Sequence, residues 1–341
     1  MSALLDYARF ELQQRSHHIQ VLPVIIVYLN NICDSRCVTC SIWKNNELLK
    51  IPAERQMADD LLEELYQGLG KWHPRQILLS GGEPALHPAF PEAVRRFREV
   101  AGKVCVITNG LTLSSRDAGT LQSVAEFYIS FDAPDRESYL NIRGVDGFER
   151  LAATLKVLKG LQTRPKVVAR CTLQKANVGR LQELVAAARR FGFDCISFLG
   201  ADLTSAAFAR EMHGPAETAS IQPDANDLFA MESEIEALSV SDRDFIEGGA
   251  ERLTRIVQYF RGLLGESEFP PVRCNAPWFS MVVETTGKVR GCFFQPVIGD
   301  VHSINGEEAV HFRHQLNVNT DSTCSRCVCS KFVGSRDFML L

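Results

Sequence analysis

The sequence predicts an α/β protein built as a partial (β/α)6 barrel, and three observations carry that expectation. Short apolar runs alternate with amphipathic stretches from Val21 to about Gly200, the pattern of repeated βα units on a parallel sheet. Six of the runs qualify as strands, which suits a partial barrel better than a closed eight-stranded one; a doubly wound sheet would share the pattern. The 341 residues, 45% hydrophobic and 23% charged with a net charge of −4, give an ordinary globular balance and enough chain for a sizeable core. That balance disfavours a disordered chain and a polyanion-coating protein, so no nucleic-acid partner is expected.

The elements follow in order. Residues 1–20 are polar and amphipathic and read as an N-terminal helical extension. Asp6 and Glu11 interrupt the apolar core that a signal peptide needs, and the most apolar run, Val21–Leu29, is too short to span a membrane. A cytoplasmic location is therefore expected. The strand candidates are Leu22–Leu29, Gln76–Leu79, Val104–Thr108, Phe127–Phe131, Val167–Leu173 and Cys195–Leu199. Helical patterns lie between them at Met57–Leu69, Phe90–Val100, Ser115–Val124, Phe148–Gly160 and Val178–Phe191, several opening near Pro or Asp and closing near Gly. Residues 21–220 make the barrel on this reading. Residues 221–271 form a helical linker with patterns at Ala225–Leu238 and Ala250–Leu264, closed by Pro270-Pro271. Residues 272–341 form a small module in which Phe279–Phe294 alternates like a β-hairpin turning at Thr286-Gly287.

Eleven cysteines are the compositional excess. In a reducing compartment, clustered cysteines read as metal ligands or redox groups. Cys33, Cys37 and Cys40 form a C-x3-C-x2-C loop directly after the first strand candidate. Three thiolates on one loop can hold three irons of a cubane cluster and leave the fourth open to a ligand. A zinc loop completed by a distant His or Cys, or three unrelated buried thiols, would use the same residues. Ser80-Gly81-Gly82-Glu83-Pro84 ends the second strand candidate. Thr108-Asn109-Gly110, Ser130-Phe131-Asp132 and Arg170-Cys171-Thr172 with Asn177 follow at later strand ends.

On the cysteine loop and the Gly-Gly-Glu-Pro segment, the sequence resembles the radical S-adenosylmethionine (radical SAM) superfamily. The resemblance implies a 4Fe-4S cluster on Cys33, Cys37 and Cys40, with S-adenosylmethionine bound at the open iron. It assigns Gly81, Gly82 and Glu83 to the methionyl ammonium group, and Ser130 and Arg170 to the ribose or methionyl carboxylate with Asp132 nearby. A guanidinium suits a carboxylate bidentately. The family usually places an aromatic residue before the third cysteine; Thr39 stands there, leaving Trp43 or the backbone to hold adenine.

In the last module, Cys274, the Gly287–Cys292 G-x4-C and the Cys324–Cys327 C-x2-C resemble the superfamily's auxiliary-cluster modules, called SPASM with two clusters and twitch with one. Five cysteines fit one further 4Fe-4S cluster, ligated by Cys274, Cys292, Cys324 and Cys327, which makes the module twitch-type, a hairpin plus helix. A zinc ribbon would use the same four thiolates. Cys329 is left over as an alternative ligand, a spare thiol or a hydrogen-atom donor, and Cys105, Cys171 and Cys195 read as packing.

The resemblance implies an oxidoreductase that cleaves S-adenosylmethionine reductively and abstracts a substrate hydrogen atom. The auxiliary cluster would then accept an electron, dehydrogenating a small-molecule alcohol such as a sugar or aminocyclitol in natural product biosynthesis. An electron donor such as flavodoxin or ferredoxin is implied. Arg143 and Asp146, in the loop after the fourth strand, are candidate catalytic or substrate contacts at the rim; a solvated ion pair is the plainer reading. Three alternatives stay open: maturation of a precursor peptide, radical epimerisation, and a zinc-stabilised binding protein without radical chemistry. Peptide-modifying relatives often carry a recognition domain ahead of the barrel, where only residues 1–20 stand here.

Overall fold

The computed structural model describes residues 3–212 and 214–341. Six strands, β1 (Val24–Asn30), β2 (Gln76–Gly81), β3 (Lys103–Thr108), β4 (Glu126–Ser130), β5 (Lys166–Leu173) and β6 (Cys195–Gly200), pair in parallel with each sequence neighbour. Helices fill the crossovers, including Asp59–Gly68, Phe90–Ala101, Ala118–Ser123, Phe148–Lys159 and Leu181–Phe191. This is the partial barrel that the alternation predicted, with strand boundaries within two residues of those expected. Caps explain the helix ends: Asp117 accepts from the Thr120 N–H at 2.8 Å, and Gly102 closes the helix Phe90–Ala101 at φ +71°.

The pleat divides each strand between two environments. Ile25, Val27 and Leu29 of β1 join Leu62, Leu65, Phe90 and Phe97 in one core beneath the helices. The other face of the strands carries polar side chains at the strand ends. Parallel register sets Tyr28 beside Ser80, Ser130 beside Arg170, and Arg170 beside Ser197.

Two parts of the chain extend the barrel at its edges. The hairpin β7 (Ser280–Val283) and β8 (Lys288–Arg290), with β9 (Val297–Asp300), joins the barrel sheet. β7 pairs in parallel with β1 from Val24↔Ser280 to Val27↔Val283, so one nine-stranded sheet runs β6-β5-β4-β3-β2-β1-β7-β8-β9. The unpaired edge of an apolar strand explains the addition, since β1 would otherwise expose its ladder. The stretch 221–271 is packed against the opposite edge. Ile246 bridges Ile196, the Glu247 N–H donates to the Ile196 carbonyl at 2.8 Å, and Arg252 Nε donates to the Phe198 carbonyl at 2.6 Å.

The N-terminal helix Ala3–Ser16 docks on the last module. Phe10 and Phe338 stack at 5.5 Å, and Tyr7 meets Phe338 edge-on at 5.4 Å. Gln13, fully buried, donates to the Val21 and Trp278 carbonyls at 2.8 and 2.6 Å and accepts from the Gln20 and Val21 N–H groups. Among the described residues, no helix is long and apolar enough to cross a membrane.

Candidate functional site

The cysteine loop leaves β1 at Asn30 and is gripped from several elements. The Gly82 N–H donates to the Asn30 carbonyl at 2.6 Å and the Glu83 N–H to the Ile32 carbonyl at 2.8 Å, while Asn30 Nδ2 returns a bond to the Glu83 carbonyl at 2.7 Å. A Cβ on Gly81 would lie 2.1 Å from the Asn30 oxygen, and one on Gly82 would lie 2.1 Å from the Ile32 oxygen. The paired glycines therefore serve backbone contact with the cysteine loop itself. On another side, the helix Arg136–Arg143 presents its last carbonyls: Arg36 N–H donates to Arg143 O at 2.9 Å and Val38 N–H to Ile142 O at 3.0 Å. Asn109 Nδ2 reaches Asp34 Oδ1 at 2.6 Å and Ser35 Oγ at 3.0 Å.

This clamping brings the three thiols into mutual electrostatic reach, Cys33 with Cys37 and Cys37 with Cys40. Burial pushes the Cys37 thiol up to about 12, and burial with the Glu83 charge pushes Cys33 higher still. Three half-buried soft donors on one fixed loop suit an iron–sulfur cluster, whose positive irons would displace the thiol protons. Among the described residues, no group of three or more His, Cys, Asp and Glu converges as ligands of one metal ion would.

Glu83 is buried, and burial raises its carboxyl to about 7 even though it accepts hydrogen bonds from Thr108 Oγ1, the Asn109 N–H and the Ala85 N–H. Ser130, at the end of β4, and Arg170, inside β5, lie side by side in register, and Arg170 donates to Ser197 Oγ at 2.7 Å. Burial, with the nearby Arg252 charge, lowers the Arg170 pKa. Asp132 sits deeper than these two. One of its oxygens accepts from the Thr172 N–H at 2.7 Å and the other from Arg143 Nη1 at 2.9 Å.

Arg143 and Asp146, expected together at the rim, are separated by the structure. The first three residues of the loop expected at 141–147 belong to the helix Arg136–Arg143, which Asp135 caps by accepting from the Ser138 N–H. That turn carries Arg143 inward to 9% exposure beside Cys37, Asp132 and Cys33. Burial opposes its charge, yet Cys37 and Asp132 hold its pKa well above the ordinary value. Asp146 is exposed and pairs with Arg136, as a solvated turn would.

Cys274, Cys292, Cys324, Cys327 and Cys329 also gather. Burial pushes Cys292 up to about 11 and Cys324 up to about 12, and Cys274 acts on Cys292, Cys324 and Cys327. Asn275 zips this region together, donating to Val333 O and accepting from the Val333 N–H, while Gln295 Nε2 donates to Cys324 Sγ at 2.9 Å. Cys329 is the one whose charge reaches Arg170. Of the cysteines read as packing, Cys171 belongs to the helix-side core, Cys105 is buried outside it, and Cys195 is half-buried.

Tyr28 was missed by sequence reading because an aromatic in an apolar strand looks like core. It stands within electrostatic reach of both Cys40 and Cys292, with its ring 6.1 Å from that of Phe293; burial first, then Glu284, pushes its phenol far above the usual range.

Comparison with known proteins finds a family match over part of this chain. Residues 27–188 match the family model of the radical SAM superfamily. Among curated proteins, the chain is 33% identical over 143 residues to GTP 3′,8-cyclase of Chlorobaculum tepidum, covering 40% of this chain and 41% of that one. It is 28% identical over 183 residues to Fe-coproporphyrin III synthase of Methanosarcina barkeri, covering 52% and 44%. The matched stretch spans less than half the length of both relatives. Among solved structures, Streptococcus suis SuiB bound to precursor peptide SuiA superposes with a TM-score of 0.62 at 14% identity, covering 95% of this chain and 75% of that one. Native anSMEcpe with bound AdoMet gives 0.59 at 16%, covering 92% and 85%. At these identities the structural likeness establishes the fold.

Proposed function

From the match of residues 27–188 to the radical SAM family model, we propose that the protein is an S-adenosylmethionine-dependent radical enzyme that oxidises its substrate by two electrons. The observation that carries this reading is Tyr28, in reach of a cysteine of each set on a strand paired directly to the second module's β7. Cys33, Cys37 and Cys40 would hold the 4Fe-4S cluster that, with S-adenosylmethionine and one electron from a donor such as flavodoxin or ferredoxin, supplies the 5′-deoxyadenosyl radical. Cys274, Cys292, Cys324 and Cys327 would hold a second, fully ligated cluster.

The chain's own residues do the rest. Glu83 offers a carboxylate to the methionyl ammonium, and Ser130 and Arg170 offer a hydroxyl and a cation to the carboxylate or ribose. Oxidation of an alcohol CH–OH would remove one hydrogen atom to the adenosyl radical, one proton to a base and one electron, which a cluster on the second cysteine set would accept. A small-molecule alcohol is the primary substrate reading. A precursor peptide is the second, favoured by the coverage of 95% of this chain on the peptide-bound SuiB structure.

The test is anaerobic turnover with S-adenosylmethionine and deuterated candidates of both classes. Deuterium in 5′-deoxyadenosine and a product two hydrogens lighter support oxidation; solvent hydrogen gained at unchanged mass indicates epimerisation and refutes it. Cys33→Ala should abolish formation of 5′-deoxyadenosine. Cys292→Ala should keep it and lose product, and normal turnover by that variant refutes the role of the second set. Zinc without sulfide in anaerobically prepared protein refutes the radical reading altogether.

A further inference from the structure

The geometry points to Arg143, held by Asp132, as a positioning residue whose buried positive charge favours the reduced state of the cluster on Cys33, Cys37 and Cys40. The inference rests on that cluster being present. Arg143 is not a surface cation that strays inward. Its exposure is 9% and that of Asp132 is 2%, and the two meet at 2.9 Å. Asp132 is fixed in turn, because its other oxygen accepts the Thr172 N–H at 2.7 Å and its own carbonyl accepts from Asn177 Nδ2 at 2.9 Å. The guanidinium is thus anchored from β5 through one carboxylate.

The backbone around Arg143 ties it to the cysteine loop. Its carbonyl accepts the Arg36 N–H, the preceding carbonyl accepts the Val38 N–H, and a Cβ on Gly144 would lie 2.4 Å from the Arg36 oxygen. These contacts bracket Cys37, and they explain Gly144 at φ +66°. Among the described residues, Arg143 Nε is buried without a hydrogen-bond partner. A buried donor left open costs free energy unless something accepts from it. The Tyr139 hydroxyl, one turn back on the same helix and itself buried without a hydrogen-bond partner, is one acceptor nearby, and a negatively charged cysteinyl sulfur of a cluster would be another, since Cys37 and Cys33 are both within electrostatic reach.

Adding one electron to the cluster makes its charge more negative by one. A fixed cation in a poorly screened interior lowers the free energy of that state relative to the oxidised one, so the potential rises. Asp132 acts with the opposite sign, and an Asn in its place would keep a side-chain oxygen to accept from Arg143 while removing the charge. A role in packing alone would make no distinction between the two charges.

The test is an EPR-monitored redox titration of anaerobically reconstituted protein, with iron and sulfide counted per chain. Arg143→Gln should lower the potential of the cluster on the three cysteines, and Arg143→Lys should recover most of the loss. Asp132→Asn, which removes a negative charge and retains shape, should shift the potential upward. Arg136→Gln, on the same helix but exposed and paired with Asp146, should leave it unchanged. Equal potentials in wild type and Arg143→Gln at full iron content overturn the assignment, as does a downward shift in Asp132→Asn. If Arg143→Gln fails to retain iron, the sign of the Asp132→Asn shift decides. A wild-type protein without this cluster overturns the function proposed above together with the inference, whereas a normal cluster indifferent to Arg143 overturns the inference alone.

Discussion

Glu83 holds Asn109 through the backbone: one carboxylate oxygen takes the Asn109 N–H at 2.7 Å, and the other takes Thr108 Oγ1 at 2.7 Å. Asn109 then uses its side chain on Asp34 and Ser35, beside Cys33. One carboxylate therefore couples the ends of β2 and β3 to the cysteine loop, and its charge state governs all three.

A pH dependence follows from that carboxylate. Burial lifts it from 4.5 to about 7, so its folded form binds a proton more tightly than the unfolded form. Its contribution to stability is full below about pH 4.5 and is lost as pH rises through about 7. A methionyl ammonium favours the charged form, so S-adenosylmethionine affinity should rise with pH over the same window. Glu83→Gln should flatten that profile and weaken binding roughly 10–100-fold, the scale of a charge-assisted hydrogen bond of about 1.5–3 kcal/mol. Isothermal titration between pH 5 and pH 8 measures both, and an unchanged profile in the variant rejects the role of Glu83.

Gly82→Ala should displace the cysteine loop, because its new methyl would meet the Ile32 carbonyl at 2.1 Å. Overpacking of this kind costs about 1–3 kcal/mol. Thermal unfolding should show a lower midpoint and reconstitution a lower iron content; wild-type values in both would show that the close approach is dispensable.

Gln13 closes four hydrogen bonds between the N-terminal helix, the start of the barrel and Trp278. Gln13→Ala leaves buried donors and acceptors unpaired, at about 1–3 kcal/mol for such a group. The expected outcome is a lower denaturation midpoint and faster proteolysis at the helix, with the barrel core still protected in hydrogen exchange. Unaltered stability would mean that water replaces the amide freely.

Removing metal should expose the thiol chemistry. Cys37 and Cys324, each pushed up to about 12 by burial, stay protonated at neutral pH in the iron-free protein. Alkylation of these two at pH 8 should be slower than that of free cysteine by more than about tenfold. Since cluster ligands are thiolates, reconstitution should release protons, and iron should be lost progressively as pH falls. Fast alkylation of both cysteines without denaturant would contradict their burial.

The six barrel strands were legible because each is an apolar run bounded by punctuation, and the cysteine loop because its spacing is local. What escaped depends on contacts between distant segments. Nothing in Ser280–Val283 announces β1 as its partner, because a short, mostly apolar run ending in two valines fits any open parallel edge. The helix Arg136–Arg143 spans only eight residues with a polar exposed side, too short for its period to stand out, and Arg143 was consequently misplaced at the rim. Gly81 and Gly82 were named by resemblance for the methionyl ammonium group, and their close approach to the chain's own loop is something no spacing reveals.

The pairing of β1 between β2 and β7 also bears on the order of events during synthesis. The strand that carries the cysteine loop gains β2 soon after it leaves the ribosome, yet its other edge stays open until residue 283 has emerged. Throughout that interval the thiols of Cys33, Cys37 and Cys40 are attached to an unfinished sheet. Loading of iron and sulfur at these thiols would thereby follow the emergence of β7, and a nascent chain stalled in its helical middle would offer that strand edge to chaperones or to another chain.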